Sequence, residues 1–164
     1  MANLLLEQNI ANKGTDVSVT VFNNTNTITE ISLYKNNISN EGTKSLSTVL
    51  CANIILTMIV LSSNNSGDKG MKMLATALCT NSIITTIVLD NNDIGNEVGK
   101  ALENMFEFNN TMTIINLKGN ERNVNILYVI NVALTANKTA LKVMKWAIRA
   151  ENAYSLANLL NTTT

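Results

Sequence analysis

The chain has 164 residues, of which 46% are hydrophobic, and its twelve basic and twelve acidic residues give a formal net charge of zero. A neutral chain without basic runs lacks the surface that nucleic acid or an anionic membrane would need, and no apolar stretch is long enough to span a membrane. The sequence contains no histidine, which is the usual general base and the commonest metal ligand. We therefore predict one soluble, cytoplasmic domain, residues 1–164, that is not an enzyme and has no metal or cofactor.

A spacing of 28 residues organises the chain. Isoleucine lies two positions before, and asparagine three positions after, each member of a column of leucines. The leucines of this column are Leu33, Leu61, Leu89 and Leu117. Self-similarity at a fixed spacing is typical of repeated structural units. We place the units at about residues 3–27, 28–55, 56–83, 84–111 and 112–141.

Each unit is predicted to be a short strand, a turn and a helix. In Glu30–Tyr34 alternate side chains point to opposite faces, so Ile31 and Leu33 lie on the same side of a strand. After the turn, Leu46 and Leu50 are four residues apart, which places them on one face of a helix. Because one unit alone cannot bury these side chains, adjacent units are expected to stack.

Both ends of the chain depart from the pattern. The first unit is out of step by one residue, and its segment DVSVTVF favours extended structure where a helix is expected, so the conformation of residues 15–24 stays open. At the other end, Lys145 replaces the strand leucine. Residues 143–161 have the apolar stripe of an amphipathic helix, with Trp146 on the stripe, and we expect this helix to cap the last unit.

The segment Ile28-Ile31-Leu33-Asn36-Ile38 and its equivalent in the fourth unit resemble the leucine-rich repeat, and the length and second half of the unit resemble the ribonuclease-inhibitor type. The third and fifth units depart from this pattern at Ser66 and Arg122. The resemblance covers about residues 3–141. It implies an α/β solenoid with short parallel strands on the concave face, helices on the convex face and a helical cap at the C-terminus.

An asparagine follows each predicted strand, and we assign these asparagines a structural role. A turn at a strand's end leaves backbone N–H and C=O groups buried, and unpaired groups there are costly. A side-chain amide supplies two donors and an acceptor in one compact unit. We therefore predict an internal hydrogen-bonded ladder of Asn36, Asn64, Asn92 and Asn120.

The strand positions that face away from the leucines are candidates for contact with a protein partner. Four of them, Met58, Val60, Val88 and Ile114, would form an apolar patch, and such patches mark interaction sites. Polar side chains surround the patch, as at protein interfaces. The alternative is that a flat parallel sheet attracts β-branched residues whatever its function. The predicted partner-binding residues are Glu30, Ser32, Tyr34, Lys35, Met58, Val60, Ser62, Thr86, Val88, Asp90, Ile114, Asn116 and Lys118.

Two hypotheses about function follow from this surface. In the first, the chain is a monomeric module that masks or inhibits another folded protein through its concave face, in the producing cell or, as a bacterial effector, in the cytoplasm of a host. In the second, it is a self-assembling structural unit or an adaptor. Neither hypothesis involves nucleic acid or a membrane. An enzyme is disfavoured because Asp90 and Lys118, the best polar pair on the face, are more plausible as an ion pair at the rim of an interface.

Overall fold

The computed structural model describes residues 2–5, 28–121 and 130–140. The strands are β1 (Ala2–Leu5), β2 (Ile28–Ser32), β3 (Met58–Val60), β4 (Thr86–Val88) and β5 (Ile114–Asn116). The helices are α1 (Asn40–Ala52), α2 (Gly67–Thr80) and α3 (Gly99–Phe108), with a 3-10 turn at Asn96–Val98 before α3. Residues 130–140 are helical and are labelled α4.

The strands form one parallel sheet in chain order, β1 to β5. From β2 onward, paired residues are 28 positions apart, so that Ile31 lies beside Ile59 and Ile59 beside Ile87. Between β1 and β2 the register shifts after Ala2. Each crossover between β2 and β5 passes through a helix, which is how parallel neighbours are normally joined. The sheet therefore places equivalent residues of successive segments in straight rows.

The core lies between the sheet and the helices. Ile31, Ile59 and Ile87 are 2%, 0% and 0% exposed. They pack in one cluster with leucines of the helices, including Leu46 and Leu74. Burying one such side chain contributes about 1.5–3 kcal/mol. Helices α1, α2 and α3 lie side by side, each packing against its neighbour, so one face of the sheet is covered by a single helical layer.

The predicted fold class, a solenoid of stacked repeats with a C-terminal helical cap, is wrong. The described residues form one small α/β domain, with a parallel sheet, one helical layer and one hydrophobic core. The leucine spacing misled because buried positions recur at a fixed distance wherever helices of equal length pack on a parallel sheet. That spacing measures one strand–helix segment and does not specify a larger architecture.

Three predictions fall outside the described residues. These are the conformation of residues 15–24, most of the unit at residues 3–27, and the capping helix at residues 143–161 with Trp146. Within the described ranges, no helix combines the length and the apolar character needed to cross a membrane.

Candidate functional site

The sheet face opposite the helices brings eight of the predicted partner-binding residues into two rows. The strand register places Glu30, Met58, Thr86 and Ile114 in the first row, and Ser32, Val60, Val88 and Asn116 in the second. We call these eight residues the outer sheet face. Six of them are half-buried, while Ile114 and Asn116 on β5 are exposed. The four apolar members of the face are therefore neighbours, and all four reach solvent.

A third row continues beyond the strand ends. Tyr34, Ser62, Asp90 and Lys118 occupy equivalent positions there, because the backbone ladder extends past the strands. In this ladder the N–H of Lys35 donates to the Ser62 carbonyl at 3.1 Å, and the N–H of Ser63 donates to the Asp90 carbonyl at 2.7 Å. Parallel strands all end on this side of the sheet, which we call the C-terminal edge.

Tyr34 and Lys35 lie together at the C-terminal edge. Tyr34 is 42% exposed, and the ammonium nitrogen of Lys35 lies 5.1 Å from the centre of its ring. A cation at this distance from an aromatic face is attracted to it. Lys35 has a positive φ of 54°, a conformation that the backbone ladder holds in place. The pair presents an aromatic surface and a positive charge together.

Asp90 and Lys118, an acidic and a basic candidate in the third row, are not paired with each other. The carboxylate of Asp90 instead accepts a hydrogen bond from the Asn116 amide at 3.2 Å. No ion pair between Asp90 and Lys118 occurs among the described residues, and Lys118 is exposed. Ser62 is only 7% exposed, so it offers little surface to a partner although sequence reasoning included it.

Asparagines bind successive segments together at the C-terminal edge. The side-chain oxygen of Asn64 accepts hydrogen bonds from the N–H groups of Asn36 and Ile38 at 3.0 and 2.9 Å. Its amide nitrogen donates to the carbonyls of Leu33 and Leu61 at 2.9 and 2.8 Å.

The same arrangement continues along the edge. Asn120 accepts hydrogen bonds from the N–H groups of Asn92 and Ile94 and donates to the Leu89 carbonyl. Asn36, Asn64 and Asn92 are at most 2% exposed. These side chains therefore face the interior and lie below the surface that a partner would touch.

Sequence reasoning gave no role to a second set of asparagines. They lie at the other end of the strands, where the helices end and the strands begin. We call this side the N-terminal edge. Asn81 donates to the carbonyls of Leu50 and Asn53 at 2.7 and 3.0 Å and accepts from the N–H groups of Ile83 and Ile84. Asn109 repeats this pattern one segment further along.

Threonines at the strand starts add a third set of hydrogen bonds. The Thr57 hydroxyl donates to the Thr29 carbonyl, and Thr85 and Thr113 repeat this contact at 3.2 and 3.1 Å. The same spacing of 28 residues connects Asn53, Asn81 and Asn109, and also Thr57, Thr85 and Thr113. That spacing was the signal by which sequence reasoning could have found both sets.

The site contains no arrangement that suggests metal chemistry. Among the residues that the structure describes, no group of three or more acidic, cysteine or histidine side chains could hold a metal ion. The chemistry available on the outer sheet face is apolar contact, hydrogen bonding and a few separated charges.

Comparison with known proteins reveals similarity in fold. No protein-family model matches the chain, and no curated protein matches it. A solved structure of leiomodin-1 actin-binding site 2 is similar with a TM-score of 0.69 and 17% identity, covering 86% of this chain and 98% of that one. A tropomodulin C-terminal domain from Caenorhabditis elegans is similar with a TM-score of 0.74 and 15% identity, covering 90% of each chain.

These similarities overturn the predicted family. The assignment to leucine-rich repeats of the ribonuclease-inhibitor type is wrong, since the fold is the one found in the tropomodulin and leiomodin domains. The prediction failed because it used only the spacing of buried leucines, isoleucines and asparagines. Packing on a parallel sheet determines which residues occupy those positions. They therefore do not distinguish one protein family with such a sheet from another.

Proposed function

We propose that this chain is a protein-binding domain that contacts a folded protein through its outer sheet face and C-terminal edge. The observation that carries the proposal is the apolar patch of Met58, Val60, Val88 and Ile114, which lies on the side of the sheet away from the core. Ile31, Ile59 and Ile87 already supply the buried face of the strands, so packing of the core does not require the second face to be apolar.

The surroundings of the patch also support a protein partner. Contiguous apolar surface with a polar rim is the arrangement found at protein interfaces. Tyr34 and Lys35 at the C-terminal edge add an exposed aromatic ring and a cation, and aromatic residues carry much of the energy of such interfaces. We propose that the chain is monomeric before binding and acts by masking the partner's surface, with no catalytic step.

Actin is the first partner to test. The similar leiomodin-1 domain is an actin-binding site, and the similarity of fold makes the same partner a reasonable proposal for this chain. Binding to monomeric actin can be measured by calorimetry, and binding to filaments by co-sedimentation. We expect the wild-type chain to bind one of these two forms.

Two substitutions test the surface itself. Val88→Arg places a charge in the centre of the patch, and Tyr34→Ala removes the exposed ring, so each should weaken binding by about 2 kcal/mol, or roughly thirtyfold in Kd. Lys44→Ala, on the exposed side of α1, is the matched control and should bind like the wild type. Melting temperatures should be similar for all three variants, because none of these side chains belongs to the core.

The proposal would be refuted if Lys44→Ala lost binding while Val88→Arg and Tyr34→Ala retained it. If actin does not bind, the same comparison can be made by affinity capture from the source organism, scoring only proteins that the wild type retains and Val88→Arg does not.

Light scattering of the free chain tests the alternative of self-assembly. Growth of the scattering mass with concentration, abolished by Val88→Arg, would mean that the outer sheet face binds a second copy of the chain.

A further inference from the structure

The carboxylate of Asp90 has an unfilled hydrogen-bonding capacity. An ionised carboxylate has two oxygens with about four acceptor sites. One oxygen, Oδ2, accepts a hydrogen bond from Asn116 at 3.2 Å. The other, Oδ1, is buried, and no donor from the described residues reaches it. An acceptor that has left water without finding a donor costs free energy.

The scaffold does not require a carboxylate at this position. Tyr34, Ser62 and Lys118 occupy the equivalent positions of the other segments, and the carbonyls of Ser62, Asp90 and Lys118 each accept a backbone N–H from the preceding segment. Ser62 is 7% exposed, so a small neutral side chain is accommodated one strand away. Asp90 is therefore unfavourable for the isolated domain and replaceable within it.

None of the cations in the described part of the chain forms an ion pair with Asp90. Lys118 is in the same row on the next segment, yet it forms no ion pair among the described residues and is exposed. Lys35 lies over the ring of Tyr34. An external cation can therefore approach Asp90 without first breaking an ion pair within this part of the chain.

We infer that Asp90 is a specificity-determining residue of the outer sheet face and accepts a hydrogen bond from a lysine or arginine side chain of the partner protein. The inference rests on the proposed function for the position of the interface. The terminal torsion of an aspartate is broad and roughly two-fold, so either oxygen can turn to meet the donor. Contact over Val88 and the patch would exclude water and strengthen the charged hydrogen bond.

A small probe tests this inference without knowledge of the partner. The labelled full chain is titrated with N-acetyl-arginine amide and, as a neutral matched control, with N-acetyl-citrulline amide, while NMR follows the backbone amides of Ser63 and Asn91. The arginine compound should shift these signals at least about twice as far as the citrulline compound, because its hydrogen bonds to a carboxylate are charge-assisted. Asp90→Ser should abolish the difference, and Glu30→Gln, at another carboxylate of the face, should preserve it.

Thermal melting separates this role from a structural one. Asp90→Ser copies the residue of the neighbouring segment, so its melting temperature should equal or exceed that of the wild type. A lower melting temperature would mean that the carboxylate stabilises the fold, and equal shifts from arginine and citrulline would mean that it does not select a cation. Either result would overturn the inference.

Binding to a protein partner distinguishes this inference from the proposed function. If Val88→Arg weakens binding to actin roughly thirtyfold and Asp90→Asn weakens it tenfold or more, as expected for loss of one desolvated charged contact, both stand. If Val88→Arg weakens binding and Asp90→Asn leaves it unchanged, the inference fails and the proposed function survives. If Val88→Arg binds like the wild type, the proposed function fails, and the arginine titration still decides whether Asp90 selects a cation.

Discussion

The two edges of the sheet are both held by asparagines 28 residues apart, but these side chains connect the segments in different ways. At the C-terminal edge the Asn64 amide reaches the preceding segment with both its oxygen and its nitrogen. At the N-terminal edge Asn81 reaches the preceding segment only with its nitrogen. Its oxygen accepts from two N–H groups that follow it in the chain.

The difference follows from what each edge requires of its asparagines. Loops at the C-terminal edge bury backbone N–H groups of the preceding segment, such as those of the fully buried Asn36 and Ile38. Helices that end at the N-terminal edge leave carbonyls without partners inside the helix. The N–H groups that precede the next strand also need acceptors. The same amide side chain therefore uses both its oxygen and its nitrogen to link segments on one side, and on the other it links segments with its nitrogen and caps its own turn with its oxygen.

The largest effect is expected for Asn64→Ala. This change removes five hydrogen bonds, including those that the N–H groups of the fully buried residues Asn36 and Ile38 donate. The free energy of unfolding should fall by about 3 kcal/mol, as measured by chemical denaturation. The matched control is Asn65→Ala, whose exposed side chain forms a single hydrogen bond within the described ranges, to Asn37, and it should change stability by less than about 0.5 kcal/mol.

A smaller loss is expected for Asn81→Ala at the N-terminal edge. It removes four hydrogen bonds, and Ser82 is exposed and Ile83 is half-buried, so water can reach part of the turn. The free energy of unfolding should fall by about 2 kcal/mol. If Asn81→Ala cost as much as Asn64→Ala in the same denaturation series, the two edges would be energetically equivalent and the distinction between them would fail.

The smallest effect is expected for Thr85→Val. The Thr85 hydroxyl donates to the Thr57 carbonyl, but that carbonyl also accepts from the N–H groups of Thr85 and Thr86 at 2.9 and 3.1 Å. Removing the hydroxyl leaves no unpaired acceptor, so stability should change by about 0.5 kcal/mol or less. A loss approaching that of Asn81→Ala in thermal melts would show that the threonine hydroxyls, as well as the asparagines, hold the N-terminal edge.

Part of the molecule was predictable from the sequence because packing acts on it locally. Alternation within Glu30–Tyr34 separates the core side of a strand from its solvent side, and Ile31 and Glu30 differ in burial accordingly. The asparagines after the strands were recognisable because a buried turn must satisfy its backbone. Family and overall architecture were not predictable, since many sheets covered by one helical layer share these local requirements.

The candidate site was only partly accessible to sequence reasoning. The rows of the outer sheet face follow from the spacing, but the spacing does not report burial or side-chain direction. Ser62 was therefore included although it is buried, and Asp90 was paired with Lys118 although its carboxylate contacts Asn116. These outcomes depend on rotamers and on the neighbouring row, which no periodic pattern encodes.

The left-handed turn that follows each of the last four strands has a consequence for how this surface can evolve. Lys35, Ser63, Asn91 and Gly119 all have φ between 52° and 75°, and the ladder of backbone hydrogen bonds imposes this geometry on unlike side chains. Replacement of a residue in this column by one that tolerates a positive φ, such as asparagine, aspartate or glycine, changes what the loop displays while the main-chain course is retained. Gly119 is an exception, because a Cβ there would overlap the Asn91 side chain. The other three positions allow new recognition chemistry to arise by single substitutions on an inherited framework.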